Sequence, residues 1–469
     1  MAETYRLVRE IPVDREYDLV VAGGGPAGSA AAVCAARLGA NVLLVEQMGC
    51  LGGMGTSGLV NAFDPMADGE KMLVGGFMRE LVETLYERGF VPEHVLPDTW
   101  RKDYHRWTRF KGEGLKLLLD EMAADAGVEV RFFTRVIDAD AEPDRERVKG
   151  VVVQNIEGYR YVPAGAFIDA TGDAVLSALC GADYREAGRD TEQIMPATLA
   201  SLHANVDWQK LEESGVNMYE EYRRALDNGE FTQYDRHLPG MSRVSDAVGY
   251  LNGGHIFGLN ACECRSLSDG MARGRRIVRE FVEFFRRHIP GCEDLDCVAT
   301  GALMGVRESR RIVGEYELTI DDYLARRQFP DQIGVYNKFV DIHIYDCSDE
   351  EWERHRRERD ETGRLQPGEC HGIPYGILVP RGWRNLWVAG RCNSSDVKVH
   401  GSIRVMPAAA MMGQAAGTAA VQSLVTGQPA NDLDTARLVT TLRENGAYLP
   451  QPELSREMTR KTAAEQTGK

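Results

Sequence analysis

Apolar runs and glycine breaks divide the start of the chain into short blocks. Tyr17 to Ala22, YDLVVA, is nearly all apolar and predicts a buried strand, which breaks at Gly23-Gly24-Gly25. Pro26 to Leu38 is Ala-rich, opens with a proline in its first turn and stops before Gly39, so it predicts a helix. Asn41 to Val45, NVLLV, predicts a second strand, closed by Glu46. Strand, tight turn, helix and strand in this order make a βαβ unit.

Further along, the pattern changes. Met48 to Gly58, MGCLGGMGTSG, holds too many glycines for a helix or strand and predicts a loop wrapped around a ligand. Lys111 to Ala126 predicts a helix that leads into a strand over Val128 to Val136. Val148 to Gln154 and Tyr159 to Val162 predict a hairpin about Glu157-Gly158, followed by a further apolar strand ending at Asp169. From about 190 to 370 the chain is more charged and richer in aromatics, with a helical stretch from Ser268 to His288. Asn385 to Ala389, NLWVA, returns to the buried-strand pattern, and Pro407 to Thr426 to a small-residue helix. The expected fold class is α/β, a Rossmann-like three-layer dinucleotide-binding domain with an inserted α+β substrate domain. The first domain covers 14–185 and returns over 373–430, the substrate or cap domain covers 186–372, and 431–469 forms a helical tail that frays at its end.

At 469 residues and 43% hydrophobic content, the chain can bury a core in each domain. A formal charge of -16 repels nucleic acid and anionic lipid alike, so neither is an expected partner. The opening MAETYRLVREIPVDRE is polar and mixed in charge, without the apolar segment of an export signal. The least polar long stretch, Val405 to Val425, is interrupted by Gln414, Thr418 and Gln422 and reads as a buried helix, not a membrane span. A soluble, cytoplasmic protein is expected, with a homo-oligomer compatible with everything in the sequence. None of the 10 cysteines forms a Cys-x-x-Cys pair, so iron–sulfur and zinc motifs are missing and no metal site is expected.

Gly23-x-Gly25-x-x-Gly28 is a dinucleotide fingerprint in its proper context, between a strand and a helix. Gly23 allows the tight turn, Gly25 lets the backbone approach the pyrophosphate, and Gly28 lets the helix pack on the sheet. The helix N-terminus, at Pro26 and Ala27, then offers its N–H groups and positive dipole end to phosphate. Glu46, at the tip of the second strand, suits the two ribose hydroxyls and disfavours a 2′-phosphate. Three more loops fit the longer reach of FAD better than NAD: Gly49 to Gly58, with Gly52 and Gly53; Asp169-Ala170-Thr171-Gly172-Asp173; and Val388-Ala389-Gly390-Arg391.

Seven segments, VVAGGGPAGSAAA, GCLGGMGTSG, IDATGD, GVRESRRIVGEY, IPYGILVP, LWVAGRCNSSD and SIRVMPAAAMMGQAAGTAA, occur in that order and span most of the chain. In them the chain resembles the FAD-dependent oxidoreductases of the glutathione-reductase-like superfamily, in particular the group that includes the flavin subunit of heterodisulfide reductase. The resemblance implies a Rossmann-like FAD-binding domain in which Glu46 and Gln47 lie at the adenosine ribose and Val136 meets the adenine through its backbone. It assigns Asp396 to a pyrophosphate or ribityl hydroxyl. It also implies that Gly413, Gln414 and Ala415 belong to a helix whose N–H groups face flavin N1 and O2.

Several side chains then become candidates for proton or substrate work. His400, with Lys398 and Arg404 nearby, could move a proton beside the flavin; His255, set between glycines, and His371 are further candidates. Arg307 and Arg311 are four apart, a helix-face spacing that suits either a substrate anion or ion pairs with Asp321 or Asp322. Cys50 has no close partner, which disfavours a dithiol mechanism. The expected activity is hydride transfer between FAD and a small polar molecule, by C–H or C–OH oxidation or by reduction of an activated double bond. Oxygen, a quinone or a redox protein would be the electron acceptor. The rival reading is an electron-transfer subunit that relays electrons between proteins.

Overall fold

Alternation along Tyr17–Ala22 sends Leu19 and Val21 to one face of a sheet and Val20 and Ala22 to the other. The first face packs on helices Pro26–Arg37 and Met406–Thr426; the second packs on Val151, Val153 and Val162 of an antiparallel β layer. Helices, parallel sheet and antiparallel layer make the expected three-layer arrangement. The computed structural model describes residues 4–142, 146–191 and 193–450.

In the parallel sheet Tyr17–Ala22 lies between Val42–Val45 and Gly158–Asp169; Glu129–Arg131 extends one edge and Leu386–Val388 the other. The segment expected as one strand over 128–136 is two, Glu129–Arg131 and Arg135–Ala141. Phe133 takes a positive φ of 51° and turns the chain out of the parallel sheet into the antiparallel layer. In contrast, the hairpin arm from Tyr159 and the strand ending at Asp169 are continuous as Gly158–Asp169. That strand exchanges its antiparallel partner Val148–Asn155 for the parallel neighbour Tyr17–Ala22 at Pro163 and Ala164.

A second sheet is antiparallel, in the order Met241–Arg243, Gly249–Leu251, Ser201–Ala204, Asp296–Thr300. Helix Cys264–His288 backs it, starting four residues before Ser268, and turns Ile277, Val278, Phe281, Val282 and Phe285 inward at helical spacing. Helix Thr435–Glu444 follows the small-residue helix and buries Leu438, Val439 and Leu442; the expected frayed end past Ser455 lies outside the described residues. No helix among the described residues is long and apolar enough to cross a membrane.

Candidate active site

The Gly-rich turn opens onto a cavity of about 910 Å³. Gly23, at φ 96°, donates its N–H to the Val45 carbonyl at 2.8 Å, and a Cβ there would fall 2.6 Å from the Ala170 oxygen. A Cβ on Gly28 would fall 1.7 Å from the Gly23 oxygen, so this glycine seats the helix on the turn and does not line the cavity. A Cβ on Gly25 would meet nothing within 4 Å, because this residue faces the open space.

Two helices begin at this cavity without a side-chain cap. Pro26–Arg37 starts from Gly25, and Met406–Thr426 starts from Val405 with a proline in its first turn. Pro26 and Ala27 line the cavity from the first helix, and Val405, Met406 and Ala409 from the second. The free first-turn N–H groups and positive dipole ends of both are suited to negative charge.

Glu46 and Gln47 line the same space with Val136. The buried Glu46 carboxylate accepts from Gly24 N at 2.6 Å and Met48 N at 2.7 Å, which fixes its orientation. Burial pushes its pKa up against these backbone donors. Each oxygen keeps a lone pair for a further donor such as a ribose hydroxyl. Gly53, Ala170, Thr171, Gly172 and Gly390 complete this part of the wall. Asp169 holds the strand-end loop in place: its buried carboxylate accepts from Thr171 Oγ1 at 2.7 Å and from Ser177 N and Oγ at 2.8 and 2.9 Å. Asp173 then joins Arg391, at 2.6 Å, to Ser309, at 2.6 Å. An uncapped helix pair, an anchored acid and an open glycine turn fit an extended dinucleotide.

Five residues expected at the cofactor lie elsewhere. Gly52 donates its N–H to the Gly24 oxygen at 2.8 Å and ties the loop to the turn without lining the cavity. Asp396 caps helix Val397–Ile403: its carboxylate accepts from Val399 N at 2.8 Å and Ile320 N at 2.5 Å. Gly413 and Ala415 are buried two turns inside the helix, and a Cβ on Gly413 would fall 2.0 Å from the Ala27 oxygen. Gln414 turns away and accepts from Phe77 N at 3.1 Å. The expected helix does reach the cavity, through Val405, Met406 and Ala409.

The histidine expectations divide similarly. His400 is fully buried, pairs through Nε2 with the Arg391 carbonyl at 2.7 Å and does not line the cavity. Burial, with Arg311 nearby, holds its pKa well below the ordinary value, which favours the neutral ring. His371 is buried against Ser402, and burial pushes its pKa to about 4. His255 does line the cavity. Cys50 lies against the Ser57 hydroxyl at 3.2 Å, away from the cavity wall.

Gly305 to Arg311 is no helix: Arg310–Ile312 forms a short strand against Tyr184–Glu186. Arg311 donates to the Ser395 carbonyl, while Asp322 pairs with Arg327 at 2.7 Å. Arg307 faces the cavity and donates to two neutral oxygens, the Pro196 carbonyl and, at 3.0 Å, Thr198 Oγ1. Burial lowers its pKa to about 10, so it is still a cation at neutral pH. Arg404 also lines the cavity but is committed to Asp341, at 2.9 Å to its carbonyl and 3.3 Å to its carboxylate.

Around His255 the fold gathers residues that sequence reasoning missed. His237 and His343 join it at the cavity wall, and Asp235 lies behind His255 at 3.1 Å from Nδ1. Burial lowers the pKa of His255, against the opposing pull of Asp235. Asp341 lies 3.5 Å from His343 Nε2; burial raises its pKa, but Lys338, His343 and Arg404 outweigh that and hold it well below the usual range. Lys338 bridges Asp341 and Asp64, at 3.8 and 3.3 Å. They come from three stretches of the chain: Asp235 with His237, His255, and Lys338 with Asp341 and His343. One signal was the acid-x-His spacing of Asp235-Arg236-His237 and Asp341-Ile342-His343.

A family model described as FAD dependent oxidoreductase matches residues 18–442. No curated protein matches the chain. Among similar solved structures is a geranylgeranyl bacteriochlorophyll reductase-like protein from Thermoplasma acidophilum, 13% identical, with a TM-score of 0.45 over 92% of this chain and 82% of that one. A p-nitrophenol 4-monooxygenase from Pseudomonas putida is 11% identical, with a TM-score of 0.44 over 97% and 95%. A flavin-dependent brominase is 14% identical, with a TM-score of 0.44 over 92% and 83%.

Proposed function

The chain belongs to the FAD dependent oxidoreductase family, and from that premise we propose that it transfers hydride between FAD and a small organic anion held in the same cavity. The reaction is oxidation of a C–H or C–OH bond, or reduction of an activated double bond. One observation carries the proposal: a single cavity takes in both the Gly23 to Ala27 turn and the wall that presents Arg307 and His255. FAD, when bound, supplies the two-electron acceptor or donor.

The rest of the work falls to side chains and backbone. The first-turn N–H groups after Gly25 receive the pyrophosphate, Glu46 the adenosine ribose, and the Val405-Met406 helix end the electron-rich edge of the flavin. Arg307 holds the substrate's anionic group, because it is a buried cation donating to neutral oxygens alone and an anion offsets the cost of burying it. The wall formed by His237, His255 and His343, braced by Asp235 and Asp341, faces the reacting polar group, and Arg404 acts through Asp341 behind His343. Trp107, Phe339 and Tyr250 give the cavity apolar wall that excludes water.

Anaerobic absorbance titration of the holoprotein tests this reading. Hydroxy acids and amino acids, each beside its ester, are added to oxidised protein, and enoic acids to protein reduced with dithionite. The expected result is bleaching, or reoxidation, by a free acid and much less by its ester. A flavin band unmoved by every small molecule, but reduced by a co-purifying iron–sulfur protein, contradicts the proposal. It would support the electron relay that the heterodisulfide-reductase resemblance suggests.

A further inference from the structure

His237, His255 and His343 each offer one ring nitrogen, and the three nitrogens lie within 4.8 Å of one another. His255 Nε2 and His343 Nδ1 are 2.8 Å apart. The opposite nitrogen of each ring faces a carboxylate: His255 Nδ1 is 3.1 Å from Asp235, and His343 Nε2 is 3.5 Å from Asp341. Asp235 is held in place by the N–H groups of His237 and His255, both at 3.0 Å. Asp341 is held by Arg404 at 3.3 Å and Lys338 at 3.8 Å. Both carboxylates are fixed acceptors, which favours the tautomer of each ring that carries its N–H on the outer nitrogen.

In that tautomer two lone pairs face each other across the 2.8 Å that an inward N–H would span as a hydrogen bond. An inward N–H on either ring would remove the repulsion, but it would leave that ring's carboxylate facing a lone pair in a buried site. A cation between the rings satisfies both nitrogens at once. The geometry points to a mononuclear divalent metal site formed by His237, His255 and His343, with Asp235 and Asp341 as its outer hydrogen-bond partners.

The donor set supports this assignment. Imidazole nitrogens with no thiolate suit zinc and the neighbouring first-row divalent ions, and a carboxylate behind a ligating histidine is the usual brace for such a ring. Three protein ligands on a cavity wall leave a coordination position open, as a substrate-binding metal requires and a structural one does not. Ligands at about 2.1 Å from a tetrahedral ion stand about 3.4 Å apart, so the close pair opens by about half an ångström and His237 moves in. Arg307, Lys338 and Arg404 oppose a cation here, and Asp235, Asp341 and Asp64 offset them. The open position takes an oxygen of the substrate, whose anionic group Arg307 holds. That last role rests on the proposed function; the metal site itself does not.

Metal content of the untagged holoprotein tests the site directly. After equilibration with one equivalent of Zn2+ and passage through metal-free buffer, the wild type is expected to keep about one zinc per chain. His237→Ala and His343→Gln should keep less than a tenth as much, at unchanged FAD content and at the melting temperature of the metal-free wild type. Asp341→Asn, which spares every ligand, should weaken zinc about ten- to a hundredfold. With Co2+ in place of zinc, a d–d band should appear to the red of the flavin band. A folded, flavin-replete wild type that keeps no zinc, or variants that keep as much as the wild type, overturns the site. FAD content, read from the same samples, reports separately on the cofactor reading.

Discussion

Glu46 and Asp396 are both carboxylates expected at the cofactor, and their neighbours give them different tasks. Glu46 follows a buried strand next to the glycine turn, so its place at the cavity was legible from spacing alone. Asp396 precedes a short helix, and its hydrogen bonds to Val399 N and Ile320 N make it a cap and a clamp. Asp396→Ala should therefore cost about 1 kcal/mol of stability in thermal or urea melts and leave FAD affinity, read by flavin fluorescence, within twofold. A tenfold loss of affinity at unchanged stability would return it to the cofactor. The histidine cluster was not legible, because its rings come from three loops whose meeting depends on the whole fold. A second carboxylate gives a pH prediction. The hydrogen bond from Arg131 lowers the pKa of Asp14 in the folded chain, so its contribution to stability is present above the usual carboxylate value, about pH 4, and is lost as pH falls through the depressed one. The melting-temperature gap between wild type and Asp14→Asn should thus be present at pH 6 and close on acidification below 4; a gap that widens there contradicts the assignment.

Among the elements, helix Met406–Thr426 shows what composition reveals and what it hides. Its Ala and Gly content marked a close-packed buried helix. Which turn meets the cavity is set by its crossing with Pro26–Arg37, where Cβ atoms on Gly413 and Gly417 would fall 2.0 and 2.4 Å from the oxygens of Ala27 and Ala31. The crossing consumes the Gly413 to Gly417 segment and leaves the first turn to the ligand. Gly413→Val should push the helices apart, cost about 3 kcal/mol and lower FAD content, because the displaced partner carries the glycine turn. Calorimetry and the ratio of flavin to protein absorbance check this; a variant with wild-type melting and full flavin would refute the crossing. Strand Gly158–Asp169 is a second case. Its apolar pattern was evident, but a proline and a change of face made it look like two strands, and only the partner exchange at Pro163 explains its continuity.

In the whole molecule, two sheets that are far apart in sequence contribute walls to one cavity, and the proposed function depends on that sharing. The βαβ unit and the late return of Leu386–Val388 to its sheet were readable because each strand's pattern is local. His255 and Arg307 were named as candidates, but their grouping with Asp341 in one wall was not readable, because loops between elements bring them together. Arg307 was assigned a helix face it does not have, and its real neighbours, Pro196 and Thr198, lie about a hundred residues earlier. The most direct test of the central claim is the anaerobic rate of flavin bleaching against concentration of the reactive acid, in wild type and Arg307→Met. The account predicts equal FAD content in both, with the half-saturating acid concentration at least tenfold higher in the variant. Equal half-saturation in the two proteins, or no bleaching of the wild type by any small acid, would contradict it.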